Sequence, residues 1–208
     1  MQKENDRYYY EPSAGHGLPH DPLNSIVGPR PIGWVSTVAR DGTRNLAPYS
    51  FFNAFNYKPP IIGFSSTSAK DSLRNARETG EFVWNLAVRG VAEHMNATSA
   101  SVPHGVDEFA LSGVTPLPSR RVQPARVAES PVNFECKVTD IVQLKDQHEA
   151  AVHAWLVLGE VVAVHILHSL LKDGIFDTFA AGIILRAGGP SGYALITPDT
   201  RFDMVRPA

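Results

Sequence analysis

The chain has 208 residues, 43% hydrophobic and 19% charged, a balance that supports one buried core and argues against a disordered polymer. Its formal net charge of −2 provides no basic field, so nucleic acid loses its main source of affinity. No apolar run approaches the roughly 20 residues of a membrane-spanning helix, the N-terminus lacks the apolar segment of a secretory signal, and the single Cys136 cannot close an internal disulfide. A cytoplasmic location is therefore expected, with neither a nucleic-acid nor a membrane role.

Residues 1–20 read as an N-terminal arm, partly flexible and loose over the first six positions, with Tyr8, Tyr9 and Tyr10 as an aromatic docking patch. Residues 21–208 read as one domain, without repeats or linkers. Residues 31–38 form an apolar strand containing Trp34 and Val35, and Asp41-Gly42 predicts a hairpin returning over residues 44–51. A third strand is expected over 60–65. A helix follows over 70–79, with Leu73 and Ala76 inward and Gly80 just past its end. A fourth strand is expected over 81–88, and short helices over 91–97 and 106–111.

Val132, Phe134, Cys136 and Val138 alternate with Asn133, Glu135, Lys137 and Thr139, which predicts a strand with one face in the core and one in solvent. A longer strand over 152–166 is expected to bend near Gly159, and short strands over 183–186 and 193–196 close the chain. The fold class is mainly β, a barrel with a few short helices.

Chemistry concentrates in two places. The run Phe64-Ser65-Ser66-Thr67-Ser68-Ala69-Lys70-Asp71-Ser72 sits where a strand gives way to a helix. Hydroxyls, unpaired amide N–H groups and the positive end of a helix dipole meet there, as a phosphate site requires, and Lys70 adds a full charge. The competing reading is an ordinary helix start, with Ser68 and Asp71 as a capping box and Lys70 solvated. The second place is the hairpin, from Arg30 through Thr37 and from Asn45 through Phe52. Its small and hydroxyl residues suit the polar edge of a flat heterocycle, and Trp34, Phe51 and Phe52 its apolar edge. The alternative is that these aromatics are simply core.

Other chemistries find little support. His165 with His168, and His16 with His20 and Asp21, do not follow a recognised zinc spacing, so no metal is expected. No Gly-x-Ser-x-Gly elbow is present. Cys136 lies among apolar neighbours, and the Gly-x-Gly-x-x-Gly fingerprint of a dinucleotide domain is missing. His104 stands in a loop, either over a ligand or merely exposed.

A series of short motifs runs through the chain: Arg30-Pro31-Ile32-Gly33-Trp34-Val35-Ser36-Thr37, Asp41-Gly42, Asn45-Leu46-Ala47-Pro48-Tyr49-Ser50-Phe51-Phe52, Pro59-Pro60 and Lys70-Asp71-Ser72. It continues through Thr79-Gly80-Glu81-Phe82, Asn85, His94-Met95-Asn96, Asp107-Glu108-Phe109, Pro131, Glu135-Cys136, Gly188-Gly189 and Tyr193. Together, over roughly residues 16–207, these motifs resemble the flavin reductase-like family.

The resemblance implies a six-stranded FMN-binding split barrel of Greek-key type, usually a homodimer, with FMN (FAD is possible) near the subunit interface. It implies phosphate contacts at Ser65, Ser66, Lys70 and Ser72, and flavin contacts at Trp34, Ser36, Thr37, Asn45, Ala47, Ser50 and Phe51, with Arg186 and Tyr193 as further candidates. It also implies hydride transfer from NADH or NADPH, held only transiently, to flavin. A monooxygenase or another acceptor would be the partner. The alternative within the same resemblance is a flavoredoxin-like electron carrier without its own nicotinamide activity. No catalytic side chain is assigned, since hydride transfer needs no protein acid or base.

Overall fold

The computed structural model describes residues 7–207, so the first six positions of the arm lie outside it. The Asp41-Gly42 hairpin forms as the sequence predicts. β1 (Gly33–Val38) pairs with β2 (Arg44–Tyr49), Val35 opposite Ala47. Gly42 takes a φ of 91°, a region side chains resist, and the Asp41 carboxylate accepts from the Thr43 N–H at 2.9 Å.

The returning strand is shorter than expected. It ends at Tyr49, Ser50 and Phe51 turn, and a new strand β3 (Phe52–Asn56) begins, followed by β4 (Ile61–Ser66). The sequence hides β3 because it is exposed along most of its length and carries Asn53 and Asn56, so no apolar alternation marks it. The remaining strands are β5 (Glu81–Asn85), β6 (Pro116–Leu117), β7 (Arg126–Val127), β8 (Val132–Lys145), β9 (Ala151–Ile166), β10 (Leu171–Lys172), β11 (Ile175–Phe176), β12 (Ile184–Arg186) and β13 (Tyr193–Leu195). The helices are α1 (Leu23–Ile26), α2 (Asp71–Thr79), α3 (Ala92–Ala97) and α4 (Glu108–Ser112). No described helix is long and apolar enough to cross a membrane.

One antiparallel sheet orders the strands β2-β1-β5-β8-β9-β4-β3, seven where six were expected. Its two edges, β2 and β3, are consecutive in the chain and separated only by Ser50 and Phe51. Three Cα steps span at most about 11 Å. The sheet must therefore curl until its edges nearly meet, which makes it a split barrel. The Ser65 N–H donates to the Phe51 carbonyl at 2.8 Å and ties the seam to β4.

Both faces of β1 are buried, which explains its unbroken apolar run. Trp34 joins a cluster with Leu46, Met95, Phe109 and Val127. The next residue, Val35, joins Phe64, Leu73, Phe82, Trp155 and Val157. In α2, Leu73 and Ala76 are buried as expected and Gly80 is left-handed at φ 71°, but the helix starts at Asp71 and Lys70 makes no side-chain cap. The Ser68–Asp71 capping box of the competing reading does not form, because Lys70 rather than Ser68 stands at the N-cap; the Ser68 carbonyl accepts from the Lys70 N–H and the Ser66 hydroxyl.

Two features of the long hairpin correct the sequence reading. β8 runs to Lys145, and its polar face is buried at Asn133 and Glu135, while Lys137 and Thr139 on the same face are exposed as expected. The segment 118–127 covers the buried part: the Glu135 carboxylate accepts from the Arg120 and Arg121 N–H groups at 2.9 and 2.6 Å and contacts His165 Nε2 at 2.6 Å. The pairing of β8 with β9 slips between Val138 and Asp140, opposite Gly159. Gly159 itself is required by close packing, since a Cβ there would collide with the Phe82 ring.

Candidate functional site

β2 pairs only with β1, so one side of its backbone faces away from the sheet. Leu46 directs its N–H outward, to Glu108 Oε2 at 3.1 Å. Pro48 occupies the next outward position, where a missing N–H costs no ladder bond. This edge and the following turn make a wall shared by three concavities. The first, about 230 Å³, holds Asn45, Ala47, Lys70, Ser72, His104 and Glu108, with residues 98–102 on its other side. The second, about 200 Å³, is lined by residues 48–51, residues 65–68 and Lys70. The third, about 270 Å³, runs from Pro48, Tyr49 and Ser50 to Asn96, Arg186 and Tyr193. Pro48 and Tyr49 belong to all three.

Of the residues singled out in the sequence, the groove gathers Asn45, Ala47, Ser50, Phe51, Ser65, Ser66, Lys70, Ser72, Arg186 and Tyr193. It does not gather Trp34, Ser36 and Thr37. They sit on β1, an interior strand whose backbone is committed to β2 and β5, and all three are buried. Trp34 Nε1 donates to Thr98 Oγ1 at 3.0 Å, and the Ser36 hydroxyl donates to the Ala125 carbonyl. Thr37 Oγ1 accepts from Asn75 Nδ2 at 3.1 Å. Trp34 and Ser36 lie on one face of β1 and Thr37 on the other, and none of the three lines the groove.

The structure also divides the gathered residues by availability. Asn45 Nδ2 donates to Ser72 Oγ at 2.8 Å, so these two lock the first turn of α2 onto the hairpin from beneath. Ser66 donates to the Ser68 carbonyl at 2.7 Å. Lys70 is exposed at the rim of two concavities, and no hydrogen bond or ion pair of its ammonium occurs among the described residues. Beside it lie the first N–H groups of α2, unpaired within the helix. Arg186 is more committed than its charge suggests. Its Nη1 donates to the Ala187 and Gly192 carbonyls and its Nη2 to those of Gly189 and Pro190, at 2.7–2.9 Å. It shapes the 187–192 loop and stacks on Tyr193, 5.3 Å from the ring centre.

Tyr49 stands at the junction of the concavities with its hydroxyl buried and without a well-formed hydrogen bond. Burial pushes its phenol above the ordinary value, and the neighbouring Ser72 and Ser66 hydroxyls offset this only in part. Burial likewise pushes the Glu108 carboxyl up. His104 Nδ1 lies 2.7 Å from Arg74 Nη2 and 3.1 Å from Asp71 Oδ2, so the loop histidine belongs to the rim of the groove.

Sequence reading missed Asn96, Glu108 and the run 98–102 as lining. The one available signal was the small, hydroxyl-rich Thr98-Ser99-Ala100-Ser101, which repeats the chemistry of residues 65–68. Among the described residues no three His, Cys, Asp or Glu side chains group as metal ligands. His165 is engaged by Glu135, and Cys136 is buried, with burial pushing its thiol up.

A family model described as a flavin reductase like domain matches residues 28–178. An uncharacterized protein of Aquifex aeolicus is 37% identical over 155 residues, covering 72% of this chain and 76% of its own. The crystal structure of nitrilotriacetate monooxygenase component B from Bacillus cereus is similar with a TM-score of 0.82 and 30% identity, over 88% of this chain and 90% of that one. The structure of 2-nitrobenzoate 2-nitroreductase from Pseudomonas fluorescens is similar with a TM-score of 0.78 and 28% identity, over 89% and 88% of the two chains.

Proposed function

This chain belongs to the flavin reductase-like family, a family of flavin-linked oxidoreductases, and from that premise we propose that it binds FMN non-covalently along β2 and transfers hydride to it from NADH or NADPH. The observation that carries the reading is the shared wall at residues 45–51, with a pocket of hydroxyls and Lys70 at one end and Ala47 and Pro48 along its edge. The donor set fits the group. Ser65, Thr67, Lys70 and the first N–H groups of α2 offer hydroxyls, a full charge and a dipole to a phosphate. Ala47 and Pro48 would leave room for a flat ring beside the strand, where the outward backbone of β2 would offer carbonyls, the Leu46 N–H being taken by Glu108.

Bound flavin would supply the two-electron chemistry, and the protein supplies orientation and the electrostatic surroundings. Ser50 and Phe51, in the turn after β2, would border the bound group beside the phosphate-suited pocket. The segment 98–102 and His104 restrict water on the opposite side of the first concavity. FMN is favoured over FAD because Lys70 is the one cation in the lining of the hydroxyl-rich pocket. The nicotinamide nucleotide is a transient co-substrate.

We further read the protein as a cytoplasmic homodimer that delivers reduced flavin to a monooxygenase or another acceptor. The similarity to a monooxygenase component B supports that partner class. Anaerobic addition of NADH or NADPH to the yellow protein tests the activity. Rapid loss of the visible flavin band is expected with at least one of the two. Stable flavin colour with both, but bleaching by an added reductase, would replace the reading with an electron carrier.

A further inference from the structure

Glu108 is a carboxylate that the fold buries and leaves half unpaired. It opens α4, is only 6% exposed, and lines the first concavity together with Ala47 and Pro48. Its Oε2 accepts from the Leu46 N–H at 3.1 Å, which pins the side chain against the edge of β2. Oε1 has no hydrogen-bond partner among the described residues, yet it is not sealed off. The fully buried side-chain nitrogen and oxygen atoms that lack a partner there are Arg30 Nε, the Tyr49 hydroxyl and Asn75 Oδ1. Oε1 therefore keeps accessible surface on the concavity that the residue lines.

The neighbouring carboxylates are compensated and Glu108 is not. Asp107 pairs with Arg44 at 2.6 Å and Asp71 with Arg74 at 3.0 Å, whereas no cation pairs with Glu108 among the described residues. Burial pushes its carboxyl up, Asp71 and Asp107 add to this, and the Leu46 N–H opposes it by favouring the ionised form. Lys70, the cation of the same concavity, is exposed at its rim. A buried charge without a counter-ion acts strongly on whatever enters beside it, because the surroundings screen it less than water does.

We propose that Glu108 makes the groove hold oxidised flavin more tightly than reduced flavin, so that the reduced form is released to its acceptor. This rests on the flavin reading of the groove and adds a preference for one redox state. Hydride brings two electrons and one proton, which leaves the ring one unit more negative until a second proton arrives. The Glu108 carboxylate opposes that added charge and is nearly indifferent to the neutral oxidised ring. Lys70 does not discriminate, since the phosphate that it faces carries the same charge in both states.

The test is an equilibrium redox titration of FMN on the full chain, with dithionite as reductant and a reference dye, beside free FMN. The ratio of the affinities for the two redox states sets the shift in midpoint potential, about 30 mV per tenfold for a two-electron couple. The parent should bind oxidised FMN about tenfold or more tighter than reduced FMN, the scale of one nearby unit charge. Glu108→Gln keeps an oxygen for the Leu46 N–H and removes the charge. It should lose most of that ratio while its melting temperature and its affinity for oxidised FMN change little. Equal or tighter binding of reduced FMN by the parent would overturn the assignment whether or not the variant folds. An unchanged ratio in folded Glu108→Gln would overturn it too and leave the flavin reading standing. A parent that binds no FMN in either state would overturn both.

Discussion

Lys70 and Ser72 stand two positions apart and face opposite worlds. The Lys70 ammonium is exposed at the rim of the groove, while Ser72 is buried and accepts a hydrogen bond from Asn45. Lys70→Ala is therefore expected to weaken FMN by about 1.5–3 kcal/mol, the range of a charge-assisted contact, while leaving riboflavin nearly unaffected. Ser72→Ala should do the reverse. It leaves Asn45 Nδ2 with only a 3.3 Å contact to Thr37 Oγ1, and an under-satisfied buried donor costs about 1–3 kcal/mol of stability. It should lower the melting temperature and shift both flavins alike. Flavin-fluorescence titration beside thermal unfolding separates the two effects, and equal loss of both ligands in Lys70→Ala would move the phosphate elsewhere.

At the scale of elements, the segment 118–127 buries Val122 and Val127 and is tied down by polar side chains of the sheet through its backbone N–H groups. Glu135 takes two of its N–H groups, Glu81 takes the Gln123 N–H at 2.7 Å, and Asn85 Oδ1 takes the Val127 N–H at 2.9 Å. Burial opposes the Glu135 charge, yet the Arg120 N–H, His165 and the Arg121 N–H together outweigh it and hold the carboxyl below its ordinary range. A carboxyl lowered in the folded state contributes stability that is fully present above its unfolded value. That contribution is lost as the pH falls through the lowered folded value. Glu135→Gln should therefore destabilise by about 1.5–3 kcal/mol at neutral pH, with the difference from the parent shrinking in acid. Chemical denaturation at a series of pH values reads this directly, and a pH-independent difference would deny the carboxylate its role.

For the whole molecule, the exposed edge is the telling feature. β3 presents an unpaired side, and Phe51 just before it and Phe55 within it are 42% and 53% exposed. An open edge with aromatic side chains invites association unless something covers it. The arm adds Tyr8 and Tyr9, both largely exposed, with the Tyr8 hydroxyl donating to the His16 carbonyl within the arm itself. Sedimentation velocity at micromolar concentration should show a homodimer, and Phe55→Asp should shift it toward monomer. A monomeric parent that still binds flavin tightly would remove the subunit boundary from the site.

What could be read from the sequence alone was local. Asp41-Gly42 specified its turn through backbone conformation, Gly80 ended its helix, and the hydroxyl-rich run ending at Lys70 announced a strand-to-helix junction. Each of those signals is written in adjacent residues. Only the tertiary structure decided which residues of the hairpin were available. Trp34, Ser36 and Thr37 look like ligand residues in isolation, but β5 pairs with β1 on its other side and places them in the interior. The same holds for Glu135, polar on an alternating strand yet buried by a loop that starts about fifteen positions earlier. β3 and the edge-strand status of β2 emerge only when the curled sheet is assembled, because edge and interior are properties of the order of strands in space. A sequence records which groups can pair, and packing across distant segments settles which of them are left unpaired for a ligand.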